Sequence, residues 1–261
     1  MIIINQKMGS DAALTFAYFI FICIVVVFPP PSYSAGDTFT HSRATYHGSP
    51  DGLGTPTGAC GFGEYGRTVN DGKVAGVSRL FRAGRGCGAC YQVRCKAPYL
   101  CSDDGVEVVA TDYGEGDHTD FIMSPTAFSR MGYNPTASHE LFAYGVVDVE
   151  FQRIPCRGYG VLFKIHEQTR YPHYLAIVIL SVAGKSDVVD VDFWDEERNE
   201  WSGMRRPYGA VFDTTPPPKS TSIKLRFHVS GSEGLTWLEA PNAIPSGWKL
   251  GATYQSNVNL N

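Results

Sequence analysis

The sequence predicts an all-β protein in two modules, and three observations carry that reading. Apolar and polar residues alternate with period two in several segments, most cleanly Ile223, Leu225, Phe227 and Val229 against Lys224, Arg226, His228 and Ser230. The 261 residues include 28 Gly and 16 Pro, far more punctuation than a helical bundle tolerates. Six cysteines, Cys60, Cys87, Cys90, Cys95, Cys101 and Cys156, fall between residues 60 and 156, and none follows. The asymmetry separates a half that is stapled from a half that folds without staples. At 43% hydrophobic the chain can bury a core, and a net charge of −4 excludes strong attraction to nucleic acid.

The N-terminus comes first. Lys7 precedes an apolar run from Ala12 to Phe28, followed by Pro29, Pro30, Pro31 and the small residues around Ser34 and Ala35. Residues 1–35 therefore read as a secretory signal peptide, and the protein as secreted and extracellular, with no membrane attachment once the signal is removed. The run of 17 residues is at the short limit for a span, so a retained anchor is the alternative. Removing the signal removes Cys23 as well and leaves an even count, which in a secreted chain argues for three disulfides rather than a zinc knuckle at Cys87-x2-Cys90. Six cysteines alone allow fifteen connectivities.

Residues 36–156 read as the first, cysteine-bearing domain. Val147, Val149 and Phe151 alternate with Asp148, Glu150 and Gln152, and Ser124 followed by Pro125 is a helix start that Gly132 would stop. Residues 157–160, Arg-Gly-Tyr-Gly, read as the linker, and residues 161–261 as a second β domain of sandwich type. In it Val189, Val191 and Phe193 alternate with Asp190, Asp192 and Trp194.

Longer motifs carry a family resemblance. RATYHGSPDGLGTPTGACGFGEYG from Arg43, GRGCGACYQVRC from Gly84, VVATDYGEG from Val108 and LFAYGVVDVEFQRIPC from Leu141 resemble the first domain of plant expansins and β-expansins. PHYLAIVILSVAGKSDVVDVDF from Pro172, WSGMRRPYGAVF from Trp201 and AIPSGWKLGATYQSNV from Ala243 resemble the second. Within the family the expansin-like B subgroup is most similar. The resemblance implies a six-stranded double-psi β-barrel, related to family 45 glycoside hydrolases, followed by an immunoglobulin-like β-sandwich of the family 63 carbohydrate-binding type. It also implies the pairs Cys60 with Cys87, Cys90 with Cys156, and Cys95 with Cys101. The function implied is non-hydrolytic loosening of plant cell walls by a monomer that binds cellulose, hemicellulose or pectin.

Hydrolysis would need two carboxyls about 6.5 to 9.5 Å apart, one protonated and one ionised. Anchored on Ser124, Ala127 and Phe128, the position of the family's acid is Ile122, and that of its histidine is Asp120. Asp112 matches the other acidic position of the barrel, and a residual hydrolase using Asp112 and Asp120 is the rival reading. A glycan-binding protein without loosening activity is the third. Thr45 and Tyr46 match groove residues of the family, where a hydroxyl and an aromatic edge suit sugar recognition, although both could equally be ordinary barrel residues. Sugar rings offer apolar C–H faces to exposed aromatics, so Tyr174, Trp201, Tyr208 and Phe212 form the expected platform, with Trp194 on the wet face of its strand. Arg79, Arg82 and Arg85 could steer the protein to acidic pectin or be a solvated loop. No histidine pattern of the HExxH kind occurs, nor a G-x-S-x-G element or phosphate loop, so neither metal nor cofactor is expected.

Overall fold

In the computed structural model, residues 39–116, 118–231 and 234–258 are described, and they fall in one compact unit. The segment expected to be a signal peptide lies outside the described residues.

The first half is a barrel. Its elements are β1 (Thr40–Tyr46), α1 (Glu64–Thr68), β2 (Val74–Val77), β3 (Cys90–Cys95), β4 (Val106–Tyr113), β5 (Phe121–Met123), α2 (Pro125–Ser129), α3 (Pro135–Tyr144) and β6 (Val146–Ile154). The six strands close in the order β1-β5-β2-β4-β3-β6, with β1/β5 and β2/β4 parallel. Alternation fixes the inside: Ala44, Ala75, Val77, Val93, Val108, Phe121 and Met123 are buried, and Phe121, Phe151 and Tyr91 meet edge to face. Ser124 caps α2 by accepting from the Ala127 amide at 3.1 Å, with Pro125 at the first helical position. Asn134 caps α3 in the same way through the Ala137 amide.

The second half is a sandwich of β7 (Cys156–Ile165), β8 (Leu175–Gly184), β9 (Asp187–Asp195), β10 (Glu200–Gly203), β11 (Arg205–Tyr208), β12 (Val211–Thr214), β13 (Ile223–Gly231), β14 (Gly234–Ile244) and β15 (Thr253–Gln255). A four-stranded sheet, β10-β9-β13-β14, packs on a five-stranded one, β11-β12-β8-β7-β15. Val191, Phe193, Leu225 and Phe227 from one and Phe163, Ile177 and Phe212 from the other fill the space between. The expected linker at 157–160 is not a loop. Only Pro155 separates β6 from β7, and 157–160 run within β7, whose pairing to β8 is interrupted between Cys156 and Val161, with Gly158 and Gly160 at positive φ.

Disulfides join Cys60 to Cys87, Cys90 to Cys156 and Cys95 to Cys101, the pairs implied above. Cys90 to Cys156 ties β3 of the barrel to the first residue of the sandwich. The two halves are bound further by Asp187, which takes Arg82 at 2.8 Å and Arg153 at 3.2 Å. Arg206 donates to the carbonyls of Gly84, Gly209, Val188 and Val189, and burial pushes its pKa down to about 10. Phe62, from the barrel loop before α1, is buried in the same apolar cluster as the sandwich core.

Candidate functional site

One rung of the barrel brings together most of the positions singled out in the first half. Thr45 on β1 is in register with Ile122 on β5, Ile122 with Gly76 on β2, and Gly76 with Asp112 on β4. All four lie outside the barrel core and form a transverse row about three strand spacings long, or roughly 14 Å. Asp112 ends the row. Its Oδ1 accepts from the amides of Ala59 at 2.6 Å and Tyr113 at 2.8 Å, so the carboxylate anchors the loop over residues 58–61. Ile122, two strands away, presents an apolar side chain where an acid would be needed.

Asp120 is held elsewhere. Its side chain is 8% exposed, takes the Arg79 guanidinium through both oxygens at 2.8 and 2.9 Å, and accepts from the Ser42 hydroxyl at 2.7 Å. With both oxygens engaged by these donors, the carboxylate presents no free edge with which to work as a proton donor. Arg79 and Arg82 are thus occupied by Asp120 and Asp187, not free to steer a polyanion. Thr45 and Tyr46 spend their hydroxyls on the backbone: Thr45 donates to the Gly145 carbonyl at 2.7 Å and Tyr46 to that of Phe142 at 3.1 Å, while the Tyr46 ring packs on Phe128 and Phe142.

The loop anchored by Asp112 leads directly to the sandwich. The Cys60 carbonyl accepts from Ala210 at 3.1 Å, and Gly61, at φ +77°, lies against the Tyr208 ring so closely that an added Cβ would come within 2.9 Å of it. Gly209 approaches Ala59 and Cys60 with no room for a side chain. Tyr208 is 47% exposed. Behind it, His166 Nε2 is 3.3 Å from the Tyr208 hydroxyl, and burial holds the imidazole below its ordinary pKa. Tyr174 lies on the same outer face of the five-stranded sheet, donating at 3.1 Å to Asp213, which Arg205 grips through both oxygens at 2.8 and 2.9 Å. Arg205 above all, and then Tyr174, hold the Asp213 carboxyl below its usual range. Asp112, the 58–61 loop, Tyr208 and Tyr174 are therefore one continuous surface.

Phe212 and Trp201 do not belong to it. Phe212 is 1% exposed, because register with Ile177 turns it into the sandwich core, while its neighbours Val211 and Asp213 lie on the opposite side of the strand, buried under the 58–61 loop and beside Arg205 respectively. The expectation of a Phe212 contact with glycan is corrected accordingly. Trp201 pairs with Trp194 across β10 and β9, on the outer face of the other sheet. Sequence reasoning misses His166, Arg205 and Asp213, which become neighbours only through the register of β11 with β12 and β8 with β7. Among the described residues no three His, Cys, Asp or Glu side chains converge to hold a metal ion.

The family described as Expansin C-terminal domain matches residues 161–245, and the family described as Lytic transglycolase, a double-psi barrel family, matches residues 73–151. Expansin-like B1 of Arabidopsis thaliana is 54% identical over 92% of this chain and 96% of its own length. The chain belongs to the expansin family. It is of the expansin-like B kind: Expansin-like B1 of Oryza sativa subsp. japonica is 40% identical over 87% of this chain and 90% of its own. Among solved structures, the expansin of Clavibacter michiganensis superposes with a TM-score of 0.63 at 17% identity, covering 84% of this chain and 96% of that one. It shares the fold of barrel followed by sandwich. A mutant of that bacterial expansin has been crystallised in complex with cellohexaose.

Proposed function

We propose that this expansin is secreted to the plant cell wall, where as a monomer it binds polysaccharide along the surface from Asp112 to Tyr208 and Tyr174 and loosens the wall without hydrolysis. The observation that carries the reading is the rung itself: among the described residues it holds one carboxylate, Asp112, with Ile122 two strands away on β5. One carboxylate cannot both protonate a leaving oxygen and activate water. Asp120, committed to Arg79 and Ser42, supports the same conclusion. The aromatic edge and hydroxyl of Tyr208 and the Asp213–Tyr174 pair suit the mixed apolar and polar faces of a sugar chain. The cellohexaose complex of the bacterial expansin supports a β-linked glucan as the ligand class, within the wider set of cellulose, hemicellulose or pectin.

The test is sedimentation of the mature, oxidised protein with cellulose, xylan, mixed-linkage glucan and pectin, with reducing ends assayed in the same tubes and extension of heat-killed wall strips under load. Binding and extension without new reducing ends are expected. New reducing ends that vanish in Asp112→Asn would make the protein a hydrolase, and binding without extension would leave a glycan-binding protein only.

A further inference from the structure

The outer face of the four-stranded sheet carries an arrangement that the groove does not use. Trp194 on β9 and Trp201 on β10 meet edge to face at 5.4 Å. The Arg226 guanidinium on β13 lies 4.8 Å from the Trp201 ring and 4.2 Å from the Trp237 ring on β14, and the His228 imidazole stacks on Trp237 at 4.4 Å and 9°. Four adjacent strands thus contribute to one row of planar groups spanning about 14 Å. None of these rings fills the core, because Val191, Phe193, Leu225 and Phe227 already occupy the inner side of the same strands. Three indoles in one solvent-side row, Trp237 still 38% exposed, are unusual on a surface with nothing to bind.

Charge selects the occupant. Arg226 is neutralised by Asp192 at 2.6 to 2.8 Å, and His228 faces Asp190 at 3.2 Å. An arginine already answered by a carboxylate offers little to a polyanion, and the remaining cation of the row is Lys224, 5.7 Å from the Trp194 ring. Flat rings flanked by paired donors and acceptors instead complement a chain that is apolar on its ring faces and rich in hydroxyls on its edges. We infer that this face is a second carbohydrate-binding surface, accepting an extended neutral polysaccharide, so that one sandwich holds a chain on each side and bridges the two. The inference rests on the polysaccharide-binding reading above and adds a second face to it.

The experiment follows the indole N–H NMR signals of the mature protein during titration with cellohexaose, and in parallel measures by light scattering whether the protein joins soluble mixed-linkage β-glucan chains. Shifts at Trp237 and Trp194 that persist in Tyr208→Ala are expected, together with joining of β-glucan chains by the unaltered protein. Trp237→Ala should weaken cellohexaose at this face about tenfold and abolish bridging, yet still sediment with cellulose through Tyr208, while Trp237→Phe should keep bridging. The inference is overturned by indoles that ignore cellohexaose while the protein still sediments with cellulose, by bridging that survives Trp237→Ala, by polygalacturonate shifting Trp237 as strongly as cellohexaose, or by a protein dimer that Trp237→Ala dissolves. Failure to bind any glycan at all would overturn the groove reading too.

Discussion

The Tyr208 hydroxyl lies 3.3 Å from His166 Nε2, so the most exposed aromatic of the groove surface is oriented by an imidazole whose pKa burial lowers. The unfolded chain takes up this proton first as the pH falls below the ordinary histidine value of about 6.5, so the folded state loses stability from there downward. Melting temperatures measured between pH 7 and pH 5 should fall by less in His166→Gln than in the unaltered protein. Equal slopes would show that His166 does not titrate in this way.

Tyr208 should matter for binding and little for folding, since nearly half of it is exposed. Tyr208→Ala is expected to weaken cellulose binding about tenfold, the equivalent of about 1.4 kcal/mol, with Tyr208→Phe losing much less because the ring remains. Depletion isotherms on cellulose decide this, and an unchanged isotherm for Tyr208→Ala would remove Tyr208 from the site.

Asp112 has a structural duty that its position in the groove conceals. Asp112→Ala leaves the Ala59 and Tyr113 amides without their acceptor, at a cost of about 1 to 3 kcal/mol, and frees the 58–61 loop from beneath Tyr208. Urea unfolding should show that loss, and glycan binding should fall with it. Asp112→Ala as stable as the original would mean that the loop is held by other contacts.

Asp213 sets an acid limit. Arg205 first, and then Tyr174, depress its folded pKa, so its contribution is present above the ordinary aspartate value of about 3.9 and is lost as the pH falls through the lower, folded value. Asp213→Asn should be less stable than the original at pH 6, and the gap should close toward pH 3. A gap independent of pH would assign the loss to packing alone.

The bridges should rank by the length of chain they close. The separations are 66 residues for Cys90 to Cys156, 27 for Cys60 to Cys87 and 6 for Cys95 to Cys101. Loop-closure entropy then assigns them about 4.4, 3.6 and 2.2 kcal/mol in that order. Paired Cys→Ala variants compared by thermal unfolding test the ranking, and a smaller effect at Cys90 and Cys156 than at Cys95 and Cys101 would contradict it.

Strand periodicity made the sheets legible, because a half-buried strand writes its two faces into alternate residues. Ile223 to Val229 is β13, with Arg226 and His228 on the wet side as the alternation requires. The Ser124-Pro125 start of α2 was equally plain. The same signal, Asn134-Pro135, opens the longer α3. The departure at Ile122 was visible by alignment to Ser124, but the fate of Asp120 was not, since its partners Arg79 and Ser42 lie 41 and 78 residues away. The platform was the least legible part. Aromatic residue type does not reveal which sheet or which face a ring occupies, and only the register of β12 with β8 turns Phe212 inward. Trp237, His228 and Arg226 came together for the same reason, through pairing of β13 with β14 and β9.

The bridge from Cys90 to Cys156 also has a mechanical meaning. It crosses from a barrel strand to the strand that opens the sandwich, so tension applied across the two modules passes through a covalent bond placed beside the peptide junction at Pro155. Stretching single molecules with and without reductant should show an early extension step only when the bond is open. With it closed, the modules transmit load as one coupler, and under the function proposed above strain in the surrounding network would be spent on separating polysaccharide contacts instead of on unravelling the protein.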